Sequence, residues 1–465
     1  MKALTSRRVA LTSQQRRRFL KAAAASGLLA AVERNFALAQ GAPDYKALVC
    51  INLAGGNDGE NTLIRFDGAG YNHYASVRPP ASGINIAQAS LLPIQPASAA
   101  TPFGFHPACA PLQALFNQKK LAVVANMGML AQPSTKAGLG TASAPRPANL
   151  FSHADQSDQS QSGDYVGIVR SGWGGRIADR LDAANPGSVF PPLVSVHGLR
   201  TFTAGRSSVP LTVPENAYFK LSSSAPDPNQ FQYDALRDAA MTEILAQSKS
   251  NIFDIAAQIY SEEGLSASSV VVPLLFNPAS VVAPLFAQLG SSVARQLKSI
   301  ALIIEGREQT RMRRQVFFVE DSAYDTHGGQ MPVQGGLLQG LSSGIKSFLD
   351  AMSLLGLSDK VTVFTLSEFG RAFKPSANGG TDHGWGNYAF VAGAAVKGGD
   401  FYGKLPSQVL NGPDDFGDAG RWIPTTSLEQ YGATLARWFG IAEGDLPYVF
   451  PNIGAFGNTN LGFMA

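Results

Sequence analysis

Acidic and histidine residues of this chain gather in a few short polar loops. Gly55-Gly56-Asn57-Asp58-Gly59 is one, and Phe151-Ser152-His153-Ala154-Asp155 is a second. A third, Asp321 to Gln330, holds Asp325 and His327, and Ser367-Glu368-Phe369-Gly370-Arg371 precedes Gly379-Gly380-Thr381-Asp382-His383-Gly384. Of six histidines, three (His153, His327 and His383) stand one or two positions from an Asp or Ser in these loops. Carboxylate oxygens and imidazole nitrogens are donors for one or two divalent ions: zinc, manganese, magnesium or calcium. Asp58, Asp325, Glu368 and the histidines are the candidate ligands. Two such ions about 4 Å apart could activate a nucleophile and stabilise the leaving oxygen of a phosphoryl-type transfer. Ser152 is the candidate nucleophile. Arg371, with its two-pronged guanidinium, is the candidate clamp for an anionic substrate. Each residue also has an architectural explanation. Asp58 could build a turn, Asp325 and Asp382 could cap loops or helices, Glu368 and Arg371 could pair, and His153 could be plain surface.

Most of these loops follow segments that read as strands. Tyr45 to Leu53 is a short apolar run ended by glycines. Pro111 to Lys120 has a helical pattern, and Leu121 to Met129 is a second apolar run. That order suggests a βαβ unit and a parallel sheet. Gly174 to Ala184 reads as a helix and Pro192 to Val196 as a strand, whereas Gln156 to Gly163 is a Ser/Gln run with no hydrophobic face. Gln230 to Glu263 and Val281 to Arg311 carry long helical patterns. The uncharged stretch between Glu263 and Arg295 is interrupted by Pro273, Pro278 and Pro284, which argues for buried packing or an insertion over a membrane span. Strands at Arg314 to Glu320, Lys360 to Leu366 and Tyr388 to Ala394, with helices at Val333 to Leu355 and Leu428 to Phe439, complete the pattern. One α/β domain over 40–465, with a helical insertion near 200–310, is expected. In an open parallel sheet, ligands gather beyond the carboxyl ends of the strands, where these loops lie.

Composition narrows the function classes. The chain has 465 residues, 45% of them hydrophobic and 15% charged, enough to bury a core and excluding wholesale disorder. The formal net charge of +3 misleads. Residues 1–39 hold eight Lys or Arg against the single acid Glu33, leaving 29 bases and 33 acids, net −4, in the remainder. Such a body has no net pull on nucleic acid or anionic lipid. The first 39 residues read as an export signal: a basic stretch reaches Arg16-Arg17-Arg18-Phe19-Leu20-Lys21, an apolar run extends from Ala22 to Val32, and Ala37-Leu38-Ala39 offers a cleavage site. The apolar run is too short to span a bilayer, so the mature chain is expected to have no membrane span. Cys50 and Cys109 would meet an oxidising compartment, where a disulfide between them and a buried free thiol are both open. Phosphate-loop, His-Glu-x-x-His and haem or iron–sulfur spacings are absent from the sequence, and no Gly-x-Ser-x-Gly elbow follows a strand, since Gly340-Leu341-Ser342-Ser343-Gly344 falls inside the expected helix Val333 to Leu355. That argues against the common serine hydrolases, NTPases, zincins and redox enzymes.

The Arg16-Arg17 segment resembles a twin-arginine translocation signal, which implies a periplasmic or secreted protein. Together with Asn57-Asp58-Gly59, Ser152-His153, Asp325-Thr326-His327, Ser367 to Arg371, Gly380 to Gly384 and Lys397-Gly398-Gly399, the chain resembles the secreted bacterial domain-of-unknown-function family 1501 over nearly all of residues 45–455. That family is similar in turn to the alkaline phosphatase and sulfatase superfamily. The resemblance implies a three-layer α/β/α sandwich with a mostly parallel sheet and a two-metal site. In that order Asp58, Ser152, Asp325 with His327, and His383 match a first-strand Asp, a helix-capping nucleophile, an Asp/His loop and the later histidine. Ser367-Glu368 stands where the superfamily has Asp-His, so one metal position is lost or altered. Two functions follow: an exported metal-dependent hydrolase of small-molecule or polymeric phosphate or sulfate esters, or a non-catalytic envelope protein that keeps the fold and one structural metal.

Overall fold

Strand β1, Lys46–Leu53, shows what the sheet requires. Its side chains alternate between two buried faces: Ala47, Val49, Ile51 and Leu53 join one hydrophobic cluster, and Leu48 and Cys50 another. A strand dry on both faces needs helices on both. The computed structural model describes residues 45–465 apart from 142, 168, 169, 189, 215–238, 241 and 248–250, and it supplies them. In chain order these are α1 (Gly59–Thr62), α2 (Ala110–Asn117), β2 (Leu121–Gly128), α3 (His153–Ser162), α4 (Trp173–Leu181), β3 (Leu193–Ser195) and β4 (Leu211–Thr212). Then follow α5 (Ile252–Leu275), α6 (Ser292–Glu305), β5 (Arg314–Asp321), α7 (Gln330–Leu354), β6 (Val361–Leu366), β7 (Arg371–Pro375) and β8 (Thr381–His383). Beyond these come β9 (Asn387–Ala392), β10 (Phe401–Tyr402), β11 (Thr426–Ser427) and α8 (Leu428–Phe439).

The main sheet has nine strands in the order β10-β2-β9-β6-β1-β5-β3-β4, with β11 joining at β2. Every pairing is parallel except the two made by β9. On one face Leu112 and Phe116 of α2, Leu297 and Ile300 of α6, and Leu341 and Phe348 of α7 pack on the odd residues of β1. On the other, Trp173 and Ile177 of α4 and Tyr431 and Leu435 of α8 pack on Leu48 and Cys50. This is an α/β/α sandwich with a mostly parallel sheet. Truncating a fully buried ring such as Phe348 to Ala would cost about 3–5 kcal/mol.

Register brings the loops together. β1 pairs with β5 from Lys46↔Arg314 to Leu53↔Asp321, and with β6 from Ala47↔Val361 to Asn52↔Leu366. The carboxyl ends of three central strands are therefore side by side, and the three polar loops begin there. Beyond β6, the chain folds into the β7/β8 hairpin, which pairs Arg371 with His383.

Several expectations change. The Ser/Gln run from 156 to 163 belongs to α3, although it has no hydrophobic face. Hydrogen bonds bury it: Gln156 Oε1 accepts from Phe151 N (2.7 Å), Gln159 Nε2 donates to Ala148 O (2.8 Å) and Gln161 Oε1 accepts from Phe202 N (3.2 Å). Ser152 caps its start and Gly163, at φ +64°, ends it. Pro273 lies inside α5, within its last turn, rather than breaking it. No helix among the described residues is long and apolar enough to cross a membrane. Cys50 and Cys109 are free, buried in clusters on opposite faces of the sheet, and burial pushes both thiols up. Residues 1–39 and the first part of the expected Gln230 to Glu263 helix lie outside the described residues.

Candidate metal centre

Asp325 and His327 arrive on the loop after β5, His383 on β8, and His153 as the first residue of α3. Close backbone contact fixes the first loop against the turn after β1. Ala54 N donates to Asp321 O (2.9 Å) and Tyr324 N to Ala54 O (3.1 Å). Gly55 has φ +115°, and a Cβ there would stand 2.3 Å from Asp325 N, so only glycine allows the approach.

Four side chains converge: His153, Asp325, His327 and His383 can each offer one ligand atom, all within 4.8 Å of one another. The Nε2 atoms of His327, His153 and His383 lie 3.0, 3.3 and 3.5 Å from Asp325 Oδ1, and His327 Nε2 is 2.9 Å from His383 Nε2. The outward-facing nitrogens explain the inward ones. His383 Nδ1 lies 2.7 Å from Phe151 O, a carbonyl that can only accept, so Nδ1 carries the hydrogen. His153 Nδ1 is 3.0 Å from Glu368 Oε1, and His327 Nδ1 is 3.3 Å from Asp382 Oδ1. Each imidazole thus has an outer acceptor, the arrangement that orients metal-ligating histidines and leaves Nε2 with its lone pair.

Several lone pairs crowded on one carboxylate oxygen call for a cation. His153 Nε2 is buried and has no hydrogen-bond partner, which is costly for a neutral ring but natural for a ligand. Burial raises the Asp325 carboxyl, but the Arg371 hydrogen bond and charge, with His153 and His327, outweigh it and hold the group below its usual range. Burial lowers His383, and the charges of Arg371, His153 and His327 add to that, which favours the neutral, ligating imidazole. His153 is raised, first by its bond to Glu368. The residues present fit a divalent ion.

The other expected site residues have different surroundings. Asp58 is not brought to the cluster: its carboxylate is buried against Arg78 (Nη1 to Oδ2, 2.7 Å) and caps α1. Glu368 Oε1 accepts from Gly55 N (2.7 Å) and faces His153, one bond behind the ligands. Arg371 is buried. Its Nε donates to Gly56 O (2.9 Å), Nη1 to Thr381 O (3.1 Å), and Nη2 to Tyr324 O (3.2 Å), Gly55 O and Asp325 Oδ1. It ties three loops together and supports Asp325, with no nitrogen spare for a substrate. Ser152 donates to Asp155 Oδ2 (2.5 Å) and caps the helix that carries His153. His153, absent from the ligand set that the resemblance implies, is the fourth member. A Ser152-x-x-Asp155 spacing, a helix-start signal, could have located it.

Among curated proteins none matches the chain. Similar solved structures include the lipoteichoic acid synthase LtaP from Listeria monocytogenes, at 8% identity and TM-score 0.36 over 90% of this chain and 81% of that one. The PsFucS1 sulfatase from Pseudoalteromonas sp. is similar at 11% identity and TM-score 0.33, covering 89% and 71%. A 2-O GAG sulfatase, BT1596, is similar at 10% identity and TM-score 0.33, covering 88% and 75%. Likenesses this distant leave the chemistry to be argued from the residues above. The family is nearer to hand: the match runs from β1 past the β7/β8 hairpin, through all four converging side chains, and over residues 45–414 the chain belongs to DUF1501, a family of proteins of unknown function.

Proposed function

We propose that this chain is an exported, divalent-metal-dependent hydrolase of phosphate or sulfate esters. The observation that carries the reading is the convergence of three imidazole Nε2 atoms on Asp325 Oδ1, each ring fixed from behind. His153, Asp325, His327 and His383 would hold the ion. A set of three nitrogens and one oxygen suits zinc better than magnesium or calcium, which take oxygen ligands. Such an ion polarises an ester oxygen and lowers the pKa of water.

The chain's own residues do the rest. Arg371 anchors Asp325, Glu368 sets the His153 ring, and the Phe369 ring packs 4.8 Å from both the His153 and His383 ring centroids, excluding water on that side. The opposite side is open, with the side chains of Asp325 and His327 45% and 46% exposed, so substrate and water have access. In this reading Ser152 is the helix cap that aims His153, and water is the nucleophile.

The non-catalytic alternative has the full set of four protein ligands in its favour, since closed structural zinc sites use four. The solvent access just described weighs against it. Elemental analysis of protein recovered from the cell envelope, with turnover of nitrophenyl phosphate, bis-nitrophenyl phosphate and nitrophenyl sulfate, separates the two. One metal per chain and turnover lost on chelation support the hydrolase. Full metal without turnover on any ester supports the alternative, and absence of metal overturns both. Export is tested by Arg16→Lys with Arg17→Lys, which should strand the precursor in the cytoplasm. Normal export of that variant would count against the twin-arginine route.

A further inference from the structure

We infer that Arg421 grips the oxyanion of the substrate, an inference that rests on the hydrolase reading and assigns the anion-binding role to a residue other than Arg371. Arg371 has spent its guanidinium on backbone carbonyls and Asp325. Arg421 has not. Its Nε donates to His383 O (3.0 Å), and its guanidinium carbon lies 4.9 Å from the centre of the Phe151 ring. Both contacts belong to the metal centre, because His383 is a ligand and the Phe151 carbonyl accepts from His383 Nδ1 (2.7 Å). One nitrogen and one face thus fasten Arg421 to the His383 side of the cluster. Nη1 and Nη2 have no hydrogen-bond or ion-pair partner among the described residues.

The platform beneath this side chain is built, not incidental. Asp415 is fully buried and accepts from Arg421 N (2.9 Å), Gly420 N (3.0 Å) and Asn411 N (2.9 Å). Phe416 N donates to Arg421 O (2.9 Å), and the Phe416 ring packs 6.0 Å from that of Phe151. Phe151 itself has φ +71°, a left-handed conformation that is rare and strained for a bulky residue. That strain is held where the Phe151 carbonyl serves His383 and its ring serves Arg421. A guanidinium held by Nε and one face presents its two end nitrogens as a fork, which matches two oxygens of a phosphate or sulfate group. The ligand class is therefore a tetrahedral oxyanion ester, bound between the metal cluster and Arg421.

The test is calorimetric titration of the full chain with inorganic phosphate and with sulfate, metal-loaded and chelated, for wild type, Arg421→Gln, Arg421→Lys and the surface control Lys346→Gln. Arg421→Gln should weaken anion binding at least about tenfold, the loss of one charge-assisted fork. Its metal stoichiometry and melting midpoint should stay at wild-type values, which a brace serving only the fold would not allow. Arg421→Lys should recover part of the affinity, and Lys346→Gln should match wild type. An Arg421→Gln variant that binds phosphate as wild type does overturns the inference, as does a wild type that binds neither anion. A wild type that takes up no metal instead overturns the hydrolase reading, and the Arg421 inference is then decided by the chelated titrations alone.

Discussion

Replacing Asp58 with Asn should separate holding the fold from holding the metal. Asp58 has the composition of a ligand, but its carboxylate faces Arg78 through two contacts, Nη1 to Oδ2 at 2.7 Å and Nη2 to Oδ1 at 3.2 Å, with the side chains 0% and 1% exposed. Oδ1 also accepts from Glu60 N (3.1 Å) and Asn61 N (3.3 Å), and Oδ2 from Gln330 Nε2 (2.5 Å). Burial would lower the Arg78 pKa, but the Asp58 charge leads the effects that raise it above its ordinary value. Asparagine removes that charge and turns an NH2 towards groups that are themselves donors. Breaking one side of a buried pair costs about 3–5 kcal/mol. With an unfolding entropy of about 2.1 cal/mol/K per residue, a unit running from Tyr45 to Ala465 loses roughly 1 °C for each kcal/mol. The melting midpoint of Asp58→Asn should therefore fall by about 3–6 °C in chelator, followed by circular dichroism. Metal stoichiometry and affinity, read by competition with a chromophoric chelator, should stay at wild-type values. A variant that melts with the wild type, or that loses metal at unchanged stability, refutes this account of Asp58.

Glu368→Gln should do the reverse, weakening metal affinity about 10- to 100-fold through His153, or roughly 1.4–2.8 kcal/mol, with little loss of folded protein. Unchanged affinity in the same competition assay would remove Glu368 from the centre. Burial also raises the carboxyls of Glu60 and Glu429 from 4.5 to about 7. An acid raised on folding stabilises the fold fully below its unfolded pKa, and that stability is lost as pH climbs through the folded value. Urea midpoints in chelator should thus decline between about pH 4.5 and 7, by up to about 3 kcal/mol per group, and Glu60→Gln with Glu429→Gln should flatten the decline. An equally steep slope in the double variant would sink the assignment.

The sheet was legible because its strands are dry on both faces, so Ala47 to Ile51, Leu121 to Ala125, Val316 to Val319 and Val361 to Leu366 read as short, mostly apolar runs. The loops that follow β1, β5 and β6 were legible for the same reason. Helix α3 was not, because Gln156, Gln159 and Gln161 are buried through hydrogen bonds, and apolar periodicity carries no trace of that. Nor did the sequence show which of the candidate site residues converge. Whether an aspartate binds a metal or an arginine depends on which cation folds against it. Nothing in the sequence pairs Arg78 with Asp58, twenty positions away, or Arg371 with Asp325, forty-six away.

The partners of these side chains limit how many ions the centre could take. A second divalent ion would need oxygen donors near the turn after β1, and the groups there are already engaged. Asp58 is neutralised by Arg78, Glu368 is bound to Gly55 N and His153, and Ser367 Oγ accepts from Asn57 N (3.1 Å) while lying 3.0 Å from Leu53 O. Arg371 also brings a buried positive charge to Gly55 O, Gly56 O and Asp325, where a second cation would have to sit. Repulsion between a divalent ion and a guanidinium in a half-dry site is unfavourable by several kcal/mol unless further carboxylates join. Among the described residues the four-membered group around Asp325 is the one cluster of metal-binding composition. Ser367 and Glu368 thus bind the first-strand loop and set His153, and in the hydrolase reading proposed above one ion, working with Arg421, would carry the chemistry.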